Sequence, residues 1–336
     1  MWLRQESVLL RAGTLCLCTT LLTACGGGGD SSSDTPVEQP RVALSATTEP
    51  RVTAIALDAV LQSQTSSALD ALPTGSSEAT RLKLAALAGQ QALKRALQSA
   101  KSAVQVSGSD TISCSVSGSI FITANVADPS AALATAGDSA SATFNTCVEV
   151  AGLVLGGGLR ISVVSSTATL QVWDIQTTDL SVTFGDIVWR ESGTTRVTTD
   201  TTTAGVSKVT SSSARTSYFH SVGGQQRASY SLLNSTLTSE QNDTAGTVSA
   251  TANFIATGTF NGLGNVSYKV ETLASLQGPA DAAHPTSGTL KITGAGNASL
   301  LLVLGAAHVR ILADYNGDGN TDSDTTRTWE DIDAQL

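Results

Sequence analysis

From about residue 109 to residue 315 the chain is dominated by serine, threonine, valine and glycine, and apolar residues recur at every second position. Alternation of period two places successive side chains on opposite faces of an extended backbone, so it fits half-buried strands rather than helices. Clear instances are residues 120–124, 159–163, 169–173, 180–184, 206–210, 229–233, 247–254, 266–273, 290–293, 300–304 and 309–312. Turn residues separate them: Asp128-Pro129, Ala136-Gly137-Asp138, Gly156-Gly157-Gly158, Gly223-Gly224, Asn261-Gly262 and Gly294-Ala295-Gly296. Strands at ~8–12-residue spacing with this punctuation predict a mainly β domain over residues 107–336. Its expected form is a large antiparallel sheet: a curved sheet, a sandwich or a barrel. No strict repeat period runs through it, which argues against a regular solenoid.

The serine- and threonine-rich centre, residues 193–221, contains Thr198-Thr199-Asp200-Thr201-Thr202-Thr203. Polar on both faces, such strands specify register weakly and are expected at the exposed flank of the sheet, joined by a polar hairpin. A membrane barrel would need lipid-facing apolar positions and aromatic girdles. This chain is only 4% aromatic, and threonine or serine occupies many outward positions. A domain in water is the expectation.

Residues 51–106 differ in texture and read as a helical segment, expected to form a hairpin packed on the sheet. Val52, Ile55, Ala56, Ala59 and Val60 recur at helical spacing, and Pro73-Thr74-Gly75 ends that run. Ser76 or Ser77 then offers an N-cap with Glu78 in the first turn. A second apolar stripe follows: Leu82, Ala85, Ala86, Leu93, Ala96, Leu97, Ala100 and Val104. Its alanine-rich face suits close packing on strands, with lipid or partner contact as the alternative.

The amino-terminal residues 1–24 read as an export signal, with Arg4 and Arg11 before a mostly apolar run and small residues before a cleavage point. The run is shorter than the ~20 apolar residues a bilayer span needs. Its last residues with the next one, Leu22-Thr23-Ala24-Cys25, resemble the lipobox of bacterial lipoproteins. In that family a peptidase cuts before the cysteine, so the resemblance implies that Cys25 becomes the lipid-carrying first residue. Gly26 stands where the family's inner-membrane retention aspartate would be, which implies sorting to the outer membrane. Each buried CH₂ of an acyl chain contributes ~0.8 kcal/mol, and more than one chain makes release slow. Residues 25–50, with Gly26-Gly27-Gly28-Gly29, Ser31-Ser32-Ser33, Pro36, Pro40 and Pro50, show no apolar period and read as a tether. As a coil it would reach on the order of 25–30 Å.

Cysteine usage agrees with export. Cys16 and Cys18 fall in the signal and Cys25 takes the lipid, so Cys114 and Cys147 remain. Two cysteines in an oxidising compartment most simply pair as a disulfide. A redox or metal pair is the weaker reading, because the two lie far apart in sequence and have no histidine nearby. The formal charge of −9, without a basic cluster, argues against nucleic acid and against a polybasic grip on lipid headgroups.

The sharpest motif is Asp314-Tyr315-Asn316-Gly317-Asp318-Gly319-Asn320-Thr321-Asp322, within a loop at 314–325. It resembles the calcium loops of EF-hands and dockerins, where alternating acids on a tightly turning backbone supply hard oxygen ligands. The resemblance implies side-chain ligation by Asp314, Asn316 and Asp318, a sharp turn at Gly319, a carbonyl from Asn320, and Asp322 directly or through water. At the twelfth position Thr325 replaces the expected bidentate glutamate, and Asp324, Glu330 and Asp331 are out of register. The preceding segment is also strand-like. Binding of calcium in a structural role, in the ~10⁻⁴–10⁻³ M class, is one expectation. A plain Asn-Gly/Asp-Gly turn between strands is the other.

Nothing marks a catalytic residue. His220, His284 and His308 share no ligand spacing, and His308 is expected to be a half-buried structural residue. No Gly-x-Ser-x-Gly elbow and no phosphate-cradling loop occur. Asp174, Asp179, Asp186 and Glu191 are acids of the β region from which a glycosidase pair would have to come. Trp173, Trp189 and Trp329 are expected to pack in the core. The sequence therefore points to an outer-membrane lipoprotein with a non-catalytic binding or structural role, its partner an apolar ligand, a lipid or another envelope component. A lipid-anchored hydrolase of glycans or esters, or a surface adhesin, is the alternative.

Overall fold

The computed structural model describes residues 39–62, 108–127, 134–150, 152–280, 282 and 284–335. Among these, fourteen strands form one antiparallel sheet in which every strand pairs with its neighbours in sequence. They are β1 (Gly108–Ser113), β2 (Ser117–Asn125), β3 (Ser139–Val150), β4 (Leu153–Ser166), β5 (Leu170–Phe184), β6 (Ile187–Asp200) and β7 (Val206–Val222). Then come β8 (Gln225–Asn242), β9 (Thr247–Phe260), β10 (Gly264–Pro279), β11 (Ser287–Thr293), β12 (Ser299–Gly305), β13 (His308–Asp314) and β14 (Ser323–Thr328). Helix α1 (Glu49–Gln62) precedes the sheet and the short helix α2 (Trp329–Asp333) follows it.

The mainly β antiparallel fold is as the alternation predicts. Within the described residues the sheet is single and open, with β1 and β14 as its edges, and is not a closed barrel. Both edge strands are only six residues long and largely exposed, which limits the free ladder offered to another chain. The helical segment is found as α1 alone. Residues 63–106, where the second half of the expected hairpin falls, lie outside the described residues, as does the lipobox.

Strands are longer than the sequence spacing suggests. The expected strands at 169–173 and 180–184 are two halves of β5, joined across a bulge between Thr177 and Leu180. Gly156-Gly157-Gly158, read as a turn, instead lies inside β4. Gly157 adopts φ 82°, and a Cβ there would sit 2.0 Å from the Asp179 carbonyl oxygen. Only glycine permits both that backbone conformation and that approach, so the triplet makes a bulge rather than a reversal.

The polar centre is also placed differently from expectation. Residues 193–221 do form a hairpin, turning at Thr201–Gly205, but its strands β6 and β7 are sixth and seventh of fourteen. Thr195, Thr199, Ser211, Ser213 and Thr216 are buried. Small hydroxyl side chains fit a crowded face and bond locally, as where Thr216 Oγ1 donates to Ser213 Oγ at 2.9 Å and Ser213 Oγ donates to the Thr194 carbonyl at 2.7 Å.

One face of the sheet carries the core. Ile120, Phe144, Leu155, Ile175, Val197, Leu232, Phe254, Val270, Ile292, Leu302 and Ile311 belong to a single hydrophobic cluster that also takes in α1 and α2. Helix α1 is buried around most of its circumference, through Val52, Thr53, Ala54, Ala56, Leu57, Ala59 and Val60, as expected of a helix enclosed in a core. Over β5 to β9 the other face is rich in charged and hydroxyl side chains, while Phe121 and Val303 are exposed on it nearer the sheet edges. Thr198, Thr210, Thr238 and Thr251 stand directly side by side on β6 to β9, and Arg196 makes a two-pronged pair with Asp174 at 2.8 Å.

A meander of this kind places its turns on two rims. The near rim carries the turns that follow odd-numbered strands, including Gly223-Gly224 and the loop between β13 and β14. The far rim carries those that follow even-numbered strands. The chain enters at the near rim. Arg41 forms a parallel bridge with Ser267, and Gln39 Oε1 accepts from Asn265 Nδ2 at 2.8 Å. This segment fills the step left where β11 stops opposite Lys269.

Candidate cation loop and buried polar groups

Asp314 ends β13, and the chain then bends back to reach β14. The turn is built from side-chain-to-backbone bonds. Asp314 Oδ1 accepts from Gly317 N at 2.7 Å and Oδ2 from Gly319 N at 2.9 Å. Asn316 Oδ1 accepts from Asp318 N and Asp318 Oδ1 from Asn320 N, both at 2.8 Å. Asp322 closes the loop by accepting from Tyr315 N at 2.7 Å and from Asn316 Nδ2 at 3.3 Å. A Cβ at Gly317, whose φ is 78°, would lie 2.1 Å from the Gly296 carbonyl oxygen, so the loop is seated against the 3₁₀ turn Ala295–Asn297.

The structure thus brings Asp314, Asn316, Asp318, Asn320 and Asp322 into one tight loop. Three carboxylates and two amides are a hard-oxygen donor set of the kind calcium takes, and each carboxylate keeps lone pairs beyond those used by the backbone. Among the described residues no group of three His, Cys, Asp or Glu side chains converges as a metal cluster. The twelfth position does not contribute. Thr325 lies in β14 opposite Ile311, and its buried Oγ1 has no hydrogen-bond partner among the described residues. Of the out-of-register acids, Asp324 pairs with Arg310 on the exposed side, Asp331 closes a capping box with Thr328 on α2, and Glu330 is exposed in the first turn of α2.

Cys114 and Cys147 are joined in a disulfide, with Cα atoms 5.5 Å apart across 33 residues. The bond ties the turn between β1 and β2 to β3. Cys25 lies outside the described residues.

The four acids of the β region do not converge. Asp174 stands on the polar face with Arg196, and Asp179, at the β5 bulge, is exposed and bonded to Ser192 Oγ. Asp186 lies in the turn between β5 and β6. Glu191 points the opposite way. It is 1% exposed, and among the described residues its carboxylate accepts one hydrogen bond, from Thr177 Oγ1 to Oε1 at 3.2 Å, and Oε2 has none. Burial pushes its carboxyl well above the usual carboxylate range, against the smaller opposing effect of the Thr177 hydroxyl. Asp174 and Glu191 lie on opposite faces, so they do not form the facing carboxylate pair of a glycosidase.

The histidines are scattered. His308 is exposed rather than half-buried, because it opens β13 at the far rim. His220 is half-buried, and its pKa is lowered to about 4 by that burial and then by the nearby Arg227 charge. His284 stacks on Trp329 with ring centroids 4.4 Å apart and lies 3.3 Å from Asp333, which fastens α2 to the loop before β11. Trp189 and Trp329 are buried, and Trp173 packs against the core.

Two constellations had no sequence signal. One is an aromatic ladder on the core face, Tyr218–Tyr230–Phe260–Tyr268, with successive centroids 5.5, 4.9 and 5.5 Å apart. Only the pairing of β7 to β10 brings these rings together. The other joins Glu49 at the start of α1 to Arg327 Nη2 at 3.1 Å and to the Tyr315 hydroxyl at 2.8 Å. No protein-family model, curated protein or solved structure matches this chain.

Proposed function

We propose that the protein is an outer-membrane lipoprotein, anchored through Cys25, with a non-catalytic binding or structural role in the cell envelope. The observation that carries this reading is Leu22-Thr23-Ala24-Cys25 at the end of an export-type leader. The Cys114–Cys147 disulfide supports export, since such bonds persist in oxidising compartments. The arrangement of the sheet supports a domain standing in water, because the apolar face is turned to the helices and core while Arg196 and Asp174 occupy the other. A membrane barrel has the reverse polarity.

The partner in this reading is an apolar ligand, a lipid or another envelope component, and calcium in the 314–325 loop is a structural cofactor. A surface adhesin is a second reading, supported by the threonine row on the polar face. The test is Cys25→Ala in the full chain, followed by fatty-acid labelling and membrane fractionation. The wild type should take up label and sediment with the outer membrane, and the variant should do neither. A variant that stays labelled and membrane-bound overturns the anchor.

A further inference from the structure

The point where the chain enters the sheet fixes which end of the domain meets the membrane. Gln39 lies beside Asn265, the second residue of β10, and the parallel bridge from Arg41 to Ser267 then carries the chain away from the near rim. The first contacts of the described residues after the anchor are therefore at that rim. They are strongly held: Ser267 N donates to the Pro40 carbonyl at 2.8 Å, Val42 N donates to the Ser267 carbonyl at 2.7 Å, and Ser267 is fully buried.

Covalent length does the rest. Cys25 and Gln39 are separated by so few residues that even a fully stretched chain, at ~3.3–3.6 Å per residue, spans no more than ~50 Å. The longest strands exceed that. The 18 residues of β8 extend ~60 Å at ~3.3 Å per residue. For the far rim to reach the bilayer holding Cys25, the linking chain would have to run almost taut along the whole sheet. The near rim needs only a fraction of that reach.

We propose that the near rim, with its turns at Gly185-Asp186, Gly223-Gly224 and Asn261-Gly262, is the surface facing the lipid headgroups, and that the far rim points away from the bilayer. This rests on the lipid anchor at Cys25. The near rim also carries Asp314, Asp318 and Asp322, whose charge opposes close contact with anionic headgroups. The linking chain, not charge attraction, sets the orientation.

The test uses the full lipidated chain in vesicles of phosphatidylcholine and phosphatidylglycerol that include a headgroup-nitroxide phosphatidylcholine. Exposed Gln225 at the near rim and exposed Thr244 at the far rim are each replaced by cysteine and labelled with a fluorophore, the native cysteines being occupied by lipid and disulfide. The label at Gln225→Cys should be quenched several-fold more than the label at Thr244→Cys. Equal quenching, or stronger quenching at Thr244→Cys, with chain that floats with the vesicles overturns the orientation alone. Chain that fails to float overturns the anchor and the orientation together.

Discussion

The Tyr315 hydroxyl donates to Glu49 Oε2 at 2.8 Å, joining the acidic loop to the first turn of the buried helix across 266 residues of sequence. Glu49 is 2% exposed, and its other oxygen accepts from Arg327 Nε at 3.2 Å and Nη2 at 3.1 Å. Glu49→Ala leaves a guanidinium without its buried partner, a loss expected to cost about 3 kcal/mol in a denaturant titration. Tyr315→Phe removes one charge-assisted bond and should cost about 1–2 kcal/mol. In a double-mutant cycle the two changes together should cost less than the sum of the singles, and strict additivity would show that the contact does not fasten the helix.

Glu191 and His220 should oppose each other in the pH dependence of stability. The folded pKa of Glu191 lies above its unfolded value of 4.5, so the neutral form is favoured in the fold. That contribution is complete below pH 4.5 and is lost as pH rises toward the folded value. Glu191→Gln should therefore raise stability at neutral pH and flatten the alkaline limb.

His220 has its pKa depressed from 6.5 to about 4, so stability is complete above 6.5 and falls as pH drops through that window. At ~1.4 kcal/mol per unit the full loss is about 3 kcal/mol. Thermal melts of His220→Gln between pH 7 and 4 should lack that slope; an unchanged slope would place the acid sensitivity elsewhere.

Gly258 lies directly opposite Tyr230, and a Cβ there, at φ 147°, would come 2.5 Å from the Tyr230 Cα. The absent side chain makes room for the Tyr230 ring, which stacks on Phe260 two residues along. Gly258→Ala should destabilise by several kcal/mol, since it combines backbone strain with displacement of a ladder ring. Gly262→Ala, in a turn with open space around it, should cost only about 1–2 kcal/mol. Similar losses at the two sites, measured by chemical denaturation, would refute the role given to the ladder.

Breaking the disulfide with Cys114→Ser and Cys147→Ser together should lower stability by about 3–4 kcal/mol, given the 33-residue separation. The comparison is an equilibrium unfolding curve for each form under oxidising conditions. A loss near zero would mean that the turn between β1 and β2 is held by its ladder alone.

Calcium at millimolar concentration should raise the melting temperature by several degrees, and chelator should reverse it. Asp318→Asn keeps an acceptor for Asn320 N while removing charge, so it should abolish the shift with little change in the metal-free melt. No shift in the wild type would make the loop a self-bonded turn.

Much of the architecture is legible because period two is a local property. Ile120, Ile122 and the alternating Leu300, Leu302 and Leu304 identify both the strand and the face that meets the core. The acidic loop is legible for the same reason, its turn being encoded by adjacent Asp, Asn and Gly. Gly156-Gly157-Gly158 misleads because glycine serves a reversal and a bulge equally well, and the choice depends on Asp179 in the next strand. The polar hairpin of β6 and β7 misleads because serine and threonine are small enough to be buried once neighbours cover them.

By itself the sequence determined the strand-forming character of residues 109–315, the Cys114–Cys147 pairing and the tight turn at 314–322. These depend on neighbouring residues or on counting. The tertiary structure alone decided that the sheet formed by the described strands is single and open, that Glu49 meets Tyr315 and Arg327, that Glu191 faces the core while Asp174 faces away, and that the described chain joins the sheet at the near rim. Each of these follows from pairing and packing between residues far apart in sequence, and pairing register is a property of two strands rather than of either one.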